Sequence, residues 1–471
     1  MFTQYTVPKD TEVDLALIKK AIKWNDDQNR KRLDRLNKYY MGEHDILERS
    51  TSSGTNNRVV INHAKYITDT NIGYLLGNPV DYVISGNAKG DIDPVTNEYK
   101  DQTINDLDSE IAKDVSIFGY QYEYVYSDEE AKPRSIDIDN RYIVLIRDNT
   151  MAHKKIAGII YNPQLNEKGE IDGYHLIVAD ATNVIEYTTD KELKALTISE
   201  ASRAHAFGEV PVIEYKNNPE YQGDFEQVIT LIDAYNMLQS DRVNDKEQLV
   251  DAILAFYGMD FTPEQALALK EGRIIANIPA NGKVEFLTKQ LDEADTDVLR
   301  KTLEADIHKI SMTPNMTDEN FVGNSSGVAL RYKLLAFEQN IKNKERYFER
   351  GLMERLRLYT AFLGIKSNMQ EVLTRDIDAV FKRNLPTNDL ETSQMINNLV
   401  GLVDRATLIS QLSFVKDADE TLAKVDAEEV AATDKDDIDG TIDKKTDEEE
   451  SLEDDDLDAK PPVVPTPPVE E

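Results

Sequence analysis

The chain has 471 residues, with 54 lysines and arginines against 88 aspartates and glutamates, a formal net charge of −34. It contains no cysteine, which excludes disulfides, thiolate metal sites and a cysteine nucleophile. No apolar run approaches the roughly 20 residues of a membrane span, and the amino terminus shows no basic-then-apolar signal pattern. The acidic balance argues against a protein that grips nucleic acid through a broad basic face.

The negative charge is concentrated at the carboxyl terminus. Residues 428–471 carry 18 acids and 4 bases, and they end in PPVVPTPPVEE, which favours extended polyproline II geometry. So little apolar surface cannot offset the entropy lost on ordering. We expect a disordered acidic tail that either solvates the protein or docks a basic partner.

The amino-terminal part is predicted to be helical. Thr11 and Asp14 form a capping-box pattern, and Gly42 stands where the first helix would end. Further helices are expected over residues 63–76 and 102–118. The first helix carries a basic cluster, interpreted as a solvated face with a phosphate contact as the alternative: Arg30, Lys31, Arg32 and Arg35.

Short runs of β-branched and aromatic residues follow. They cover residues 120–126, 141–147, 156–161, 174–179, 183–189 and 210–215. Turn residues such as Asn162-Pro163 and Lys168-Gly169 are expected to separate them. This pattern predicts an antiparallel, mostly β region joined to helices, and therefore an α+β fold.

A single long helix is predicted over residues 224–257. Both of its ends are amphipathic, but its middle, Gln239–Gln248, is polar apart from Val243. A helix that is polar all round does not pack in a core, so this stretch is expected to span solvent or line a wet surface.

A compact insertion comes next, with Thr262 and Pro263 marking a helix start. The runs RIIANI and KVEFLT are predicted to form a hairpin joined by PANG. A second long helix then returns over residues 295–311. We expect one small core in the insertion, formed by Leu267, Leu269, Ile274, Ile275, Val284 and Phe286.

Residues 312–327, MTPNMTDENFVGNSSG, are predicted to form a long loop, and such loops are usually functional. Gly323 and Gly327 bracket Asn324-Ser325-Ser326, so the backbone can change conformation at low energy. Ser325 or Ser326 can cap the next helix, whose free N–H groups would form a weak anion site. The plain alternative is a simple helix–helix connector.

The folded part ends with a long helix over residues 328–363, a strand over 376–384 and three short helices. Gly351 is a candidate kink site in the long helix. The short helices are expected to start near Asn388, Asp404 and Asp417.

No motif of nucleotide, hydrolase, zinc or calcium chemistry is present. The single Gly-Lys pair, Gly282-Lys283, is followed by Val284 and does not form a phosphate-binding loop. Acid pairs such as Asp91/Asp93 and Asp137/Asp139 are most simply chance in so acidic a chain. We therefore expect no enzyme activity, no metal and no cofactor.

The remaining signal is architectural. A long helix leaves a domain, a small cap is built, and a second helix returns. The return helix cannot cover the polar middle of the first, so the hairpin makes sense packed against copies of itself. A repeated head-to-tail contact closes into a ring, and the polar face would line its hole.

Three segments carry a resemblance: RVVINHAKYITDTNIGYLLGNPVDY (58–82), YYMGEHDIL (39–47) and GNSSGVALRYKLLAFE (323–338). Together they resemble portal proteins of long-tailed phages that infect Gram-positive bacteria, over roughly residues 10–425. The competing hypotheses are another phage head structural protein, such as a minor capsid or connector subunit, and a DNA-processing terminase component. The insertion between two helices argues against the first, and the missing phosphate-binding loop and carboxylate cluster argue against the second.

The resemblance implies a portal fold with named parts along the chain. These would be a mixed α/β wing (1–223), a stem helix (224–258), an α/β clip (259–290), a second stem helix (291–311), the tunnel loop (312–327), a kinked long helix returning to the wing (328–386) and a helical crown (387–427). The acidic tail (428–471) is not covered by the resemblance.

The resemblance also implies a function and partners. The chain would form a ring of 12 copies at one capsid vertex, through which double-stranded DNA is packaged and ejected. Terminase and head-completion or adaptor proteins would dock on the clip, and capsid and scaffold proteins would surround the ring. The protein would assemble in the host cytoplasm, reside in the virion and contact no membrane.

The DNA-facing loop would be formed by Asn315, Asn320, Gly323, Asn324, Ser325, Ser326 and Gly327. Three nearby bases are candidates for guiding the duplex: Lys309, Arg331 and Lys333. The alternative for these bases is ion pairing with Asp306, Asp318 or Glu338 of a neighbouring subunit.

Overall fold

The fold is α+β, with helical and antiparallel β regions in the first of two units. In this computed structural model, the described residues are 4–50, 55–84, 91–250, 253–257, 283–287, 293–316, 332–366, 376–383, 389–412, 415, 418 and 420–428. The two units are Met1–Leu385 and Pro386–Glu471. None of the helices in these ranges is long and apolar enough to cross a membrane.

The helices of the first unit confirm most of the expected helical segments. In chain order they are α1 Leu15–Asn25, α2 Lys31–Met41, α3 His63–Leu75, α4 Asp93–Asp101, α5 Ile104–Phe118, α6 Ile229–Val250, α7 Glu293–Ile310 and α8 Leu335–Lys366. Sequence reasoning missed α4, a short helix whose first turn contains a proline.

The predicted first helix is interrupted and starts later than expected. Asp14, not Thr11, is the N-cap of α1, and its carboxylate accepts a hydrogen bond from Leu17 N. A π-helical segment, Asp26–Arg30, joins α1 to α2. Gly42 ends α2 in the left-handed conformation at φ 86°, as predicted.

The strands of the first unit form one large sheet and several small ones. In chain order the strands are β1 Tyr5–Val7, β2 Asp81–Ile84, β3 Tyr120–Ser127, β4 Pro133–Ile138, β5 Ile143–Asp148, β6 Lys155–Leu165, β7 Ile171–Ala179, β8 Asn183–Asp190, β9 Leu196–Ala204, β10 Val212–Lys216, β11 Ile253–Tyr257, β12 Lys283–Leu287 and β13 Ile377–Val380. The large sheet has the order β1-β5-β6-β7-β8-β9, and the smaller ones are β10-β3-β4, β11-β12 and β13-β2. Only β1, which pairs with β5, is parallel to its neighbour among these pairs.

The expected turn at Asn162-Pro163 is wrong. Both residues lie inside β6, where they pair with His175 and Tyr174 of β7. A proline is tolerated here because β5 accompanies β6 only as far as Ile160, so no ladder is interrupted on that side. The turn at Lys168-Gly169 is confirmed, with Gly169 at φ 76°.

Helix α8 passes through the core of the first unit. Its Phe348, Leu352 and Tyr359 are buried with side chains of α4, α5 and β10. The helix continues through Gly351, and a Cβ atom built there would lie 2.3 Å from the Tyr215 ring. The glycine is therefore required for close packing, whereas the kink expected there stays a prediction.

A buried ionic network fixes the same helix. The fully buried Arg355 donates from Nε to Glu123 at 2.7 Å and from Nη1 to Asp108 at 2.6 Å. Tyr215 also donates to Glu123, at 2.6 Å. Burial raises the pKa of the Asp108 carboxyl, and the Arg355 guanidinium acts in the opposite direction. The guanidinium therefore offsets part of the free-energy cost of burying the Asp108 carboxylate.

The described part of the second unit is mostly helical. It contains α9 Asp389–Leu399, α10 Arg405–Ile409 and helical backbone over residues 420–428. Asp404 caps α10 by accepting from Thr407 N at 2.8 Å, as predicted. The expected helix starts at Asn388 and Asp417, and the tail beyond residue 428, lie outside the described residues.

Candidate functional site

The two long helices predicted from the sequence lie side by side. α6 and α7 pack together, with Ile232, Tyr235 and Ile307 in one buried cluster. The return helix has nearly the expected bounds. The outgoing helix does not, because it ends at Val250 rather than at residue 257.

Residues Ile253–Tyr257 form β11, which pairs with β12 and places Leu254 opposite Phe286 and Phe256 opposite Val284. The prediction failed because a short run of apolar residues, ILAFY, satisfies helical and strand spacing equally well. Its β-branched and aromatic residues decide for a strand. KVEFL is confirmed as a strand, but its described partner is β11 and not the expected RIIANI. Leu267, Leu269, Ile274 and Ile275 lie outside the described residues.

The polar part of α6 was expected to span solvent or line a wet surface, but one of its faces is buried against residues 55–62. Asn236, Ser240 and Asn244 repeat every four residues on that face, and all three are buried. Asn236 Oδ1 accepts from Ile61 N at 2.9 Å, and Ser240 Oγ accepts from Val59 N at 2.9 Å. Asn244 Oδ1 accepts from the N–H of residue 57 at 2.7 Å. We call these three contacts the polar ladder.

The polar ladder works because two repeats coincide. Four residues of α-helix rise about 6.0 Å, and two residues of extended chain span about 6.6–6.8 Å. Side chains at every fourth helical position can therefore meet alternate N–H groups of the segment. The contacts satisfy backbone donors that have no sheet partner among the described residues.

Some apolar side chains of α6 and α7 are exposed. Met237 and Val243 are 50% and 42% exposed, and on α7 Val298 and Leu299 are 65% and 49% exposed. Both helices thus carry exposed apolar side chains within one chain. Such surfaces are suited to contact with another protein surface.

The first residues of the predicted loop are held against α3. Tyr66 Oη donates to Pro314 O at 3.0 Å and accepts from Met316 N at 2.9 Å. Thr313, which is buried, receives a hydrogen bond from Asn71 at its hydroxyl and one from His308 Nδ1 at its carbonyl. Sequence reasoning did not identify these contacts, since no local pattern joins residues about 240 positions apart.

Two histidines meet at this point. The His63 ring packs edge-on against Tyr235 and against His308, with ring centroids 4.9 and 5.8 Å apart. Burial lowers the pKa of His63 to about 4, helped by His308 and His44 and opposed by Glu304. His63 is therefore neutral in the folded protein over most of the physiological pH range.

The candidate DNA-facing residues are only partly described. Asn315 is half-buried and donates to Glu304 at 3.0 Å. Lys309 and Lys333 are exposed. Glu338, one suggested partner of these bases, already accepts from Tyr74 and Arg383 of the same chain. The other seven candidates lie outside the described residues and stay predictions: Asn320, Gly323, Asn324, Ser325, Ser326, Gly327 and Arg331.

The basic cluster of the first helices is largely satisfied within the chain. Arg30 pairs with Asp26, Arg32 with Glu226, and Arg35 with Asp45. Lys31 and Arg35 are exposed and match the interpretation as a solvated face, whereas Arg30 and Arg32 are half-buried. The ion pairs favour a structural role for the arginines over a phosphate contact.

Comparison with known proteins identifies the family. A profile described as "Phage portal protein, SPP1 Gp6-like" matches residues 19–435. The chain belongs to this family of phage portal proteins, and the resemblance predicted from the sequence is confirmed. Members of the family are structural components of the head-to-tail connector, at the capsid vertex through which DNA is packaged.

The sequences of two relatives align with this chain along almost their whole length. The portal protein of Bacillus phage SPP1 is 24% identical over 448 residues, covering 88% of this chain and 87% of that protein. The portal protein of Clostridium phage phiCD119 is 24% identical over 438 residues, covering 85% and 93%. Both phages have Gram-positive hosts, as the sequence predicted.

Proposed function

We propose that the chain forms a ring of 12 copies through which double-stranded DNA enters and leaves the capsid. The observation that carries the proposal is the packed pair of α6 and α7, which is accompanied by the β11–β12 ladder and has exposed apolar side chains on both helices. Copies placed side by side would cover these side chains, and a heterologous contact repeated by rotation closes into a ring.

We assign the parts of the ring as follows, taking the ends of α6 and α7 into account. α6 and α7 form the stem, and the clip begins at β11 instead of residue 259. Residues 1–223 belong to the wing, 328–386 to the long helix that returns to it, and 387–427 to the crown. Terminase would dock on the clip during packaging, and head-completion or adaptor proteins later.

The acidic composition fits a channel through which DNA slides. A basic bore would bind phosphates strongly and stall the duplex. An acidic or neutral wall repels it, and screening over about 8 Å confines this repulsion to the wall. The loop at 312–327 supplies the light contacts, with Lys309, Arg331 and Lys333 as guiding bases. Assembly takes place in the host cytoplasm, with capsid and scaffold proteins around the ring.

The test has two arms. Negative-stain images of the purified protein should show rings with a central hole of DNA width, and a monomer would refute the proposal. In the second arm, Gly323→Pro with Gly327→Val should block DNA packaging into procapsids while rings still form. Normal packaging by this double variant would contradict the role assigned to the loop. The conclusion that the chain forms a ring would still stand.

A further inference from the structure

We propose that Tyr66 is a positioning residue that holds the base of the DNA-facing loop on α3. This inference rests on the proposed function of residues 312–327. The Tyr66 hydroxyl makes two hydrogen bonds with the loop backbone, donating to Pro314 O at 3.0 Å and accepting from Met316 N at 2.9 Å. A single side-chain group therefore fixes two backbone positions of the loop.

The residues before Pro314 are also fixed, which makes Tyr66 the last anchor in the described part of the loop. Thr313 is 1% exposed and is held by Asn71 at 3.2 Å and by His308 at 3.0 Å. Met312 has a φ of 54°, so the chain turns sharply as it leaves α7. After Thr313 the chain reaches the surface, where the Tyr66 hydroxyl holds the backbone of residues 314 and 316 and Asn315 donates to Glu304.

The anchor connects the loop to the body and not only to the helix that precedes it. α3 packs against α2 and α5, and its Ala64 and Ile67 are buried in the largest apolar cluster. A load that passing DNA places on the loop is therefore transmitted to α3 and its neighbours. Without the Tyr66 hydroxyl, the same load would act on the turn at residues 311–313 and on the end of α7.

The ring of Tyr66 is positioned independently of its hydroxyl. It packs edge-on against His308, with centroids 5.5 Å apart at 88°. Removing the hydroxyl should leave this packing in place. Met316 is exposed and Pro314 half-buried, so water can replace the two lost hydrogen bonds. Tyr66→Phe is therefore expected to fold and assemble, and to release only the base of the loop.

The experiment uses the absence of cysteine, which allows a single spin label at Met316→Cys in the full chain. Rings carrying Tyr66→Phe should show a more mobile label and several-fold less DNA packaged per procapsid. Two net hydrogen bonds correspond to roughly a thirtyfold shift between held and released states. Unlabelled Tyr66→Phe should form rings with nearly unchanged thermal stability.

Tyr40→Phe is the matched control. The Tyr40 hydroxyl also makes two contacts with α3, to Asp69 and Lys65 at 3.1 Å each, far from the loop in sequence. This variant should change neither label mobility nor packaging. The inference is overturned if Tyr66→Phe leaves the label or the packaged DNA unchanged, if Tyr40→Phe acts alike, or if Tyr66→Phe abolishes rings. Normal packaging by the loop double variant would instead refute the proposed function of the loop.

Discussion

The Tyr215 ring occupies the space that a side chain on Gly351 would need, with ring carbons 2.3 Å from the position of its Cβ. The same tyrosine donates a hydrogen bond to the buried Glu123. Helix α8 can therefore approach strand β10 only because residue 351 has no side chain. Moving Tyr215 aside would also disturb the ionic network around Arg355.

We expect Gly351→Ala to lower the free energy of unfolding by about 1–3 kcal/mol, the usual effect of overpacking a core. Gly364 is the control in the same helix, because nothing lies within 4 Å of its Cβ position. Gly364→Ala should stabilise the protein by up to about 1 kcal/mol through helix propensity. Thermal denaturation of both variants checks the pair. Equal effects of the two substitutions on stability would mean that contact with Tyr215 does not limit the size of the side chain at residue 351.

Arg355→Met should destabilise the fold by about 3–5 kcal/mol, because Asp108 and Glu123 would stay buried without their counterion. The control is Arg357→Met, two residues along the same helix. Arg357 pairs with Glu209 at 2.7 Å, but both side chains are about half exposed. Its loss should change stability by about 1 kcal/mol or less. Denaturant unfolding that gives similar values for the two variants would contradict the assigned role of Arg355.

Ser240→Ala removes the centre of the polar ladder and leaves Val59 N–H without its partner. We expect a loss of about 1–3 kcal/mol, and faster hydrogen exchange across residues 57–61. Ser109→Ala is the control. Ser240 and Ser109 each donate to the carbonyl four residues earlier, but Ser109 is only half-buried and Ser240 is fully buried. Unchanged exchange in the Ser240 variant would show that the segment is held by other contacts.

The pH dependence of stability should report on His63. Its pKa is about 4 when folded and 6.5 unperturbed, so the unfolded chain binds more protons between these values. Stability is therefore complete above about pH 6.5 and falls as the pH drops towards 4, by roughly 3 kcal/mol from this group. Melting curves of wild type and His63→Gln should show a shallower fall for the variant. Parallel curves would mean that His63 does not carry this dependence.

Local sequence signals predicted those elements whose ends are marked by residues with one conformational role. Gly42 and Asp404 placed a helix end and a helix start correctly, because a left-handed glycine and a capping carboxylate act on their immediate neighbours. The helical spacing of apolar residues also predicted α7. Where a short apolar run fitted two periods, at Ile253–Tyr257, spacing alone could not choose between helix and strand.

The contacts that build the candidate site could not be predicted in the same way. The polar middle of α6 was visible in the sequence, but its partner was an extended segment about 180 residues away. Asn236, Ser240 and Asn244 at spacings of four are the one signal that could have suggested a buried polar face. Tyr66 carried no local signal, since its role depends on a backbone that returns from the distant end of α7.

The polar ladder has a consequence for how this region can change during evolution. Its acceptors recognise main-chain N–H groups, so the ladder itself does not constrain the side chain at Val59. A slide of the segment by two residues would offer the same donors again. The register is set at the end by Asn62, which caps α3 and donates to Tyr40 O. The length of the segment between residues 57 and 62 is therefore constrained more tightly than its composition, and relatives should vary there by substitution and not by insertion or deletion.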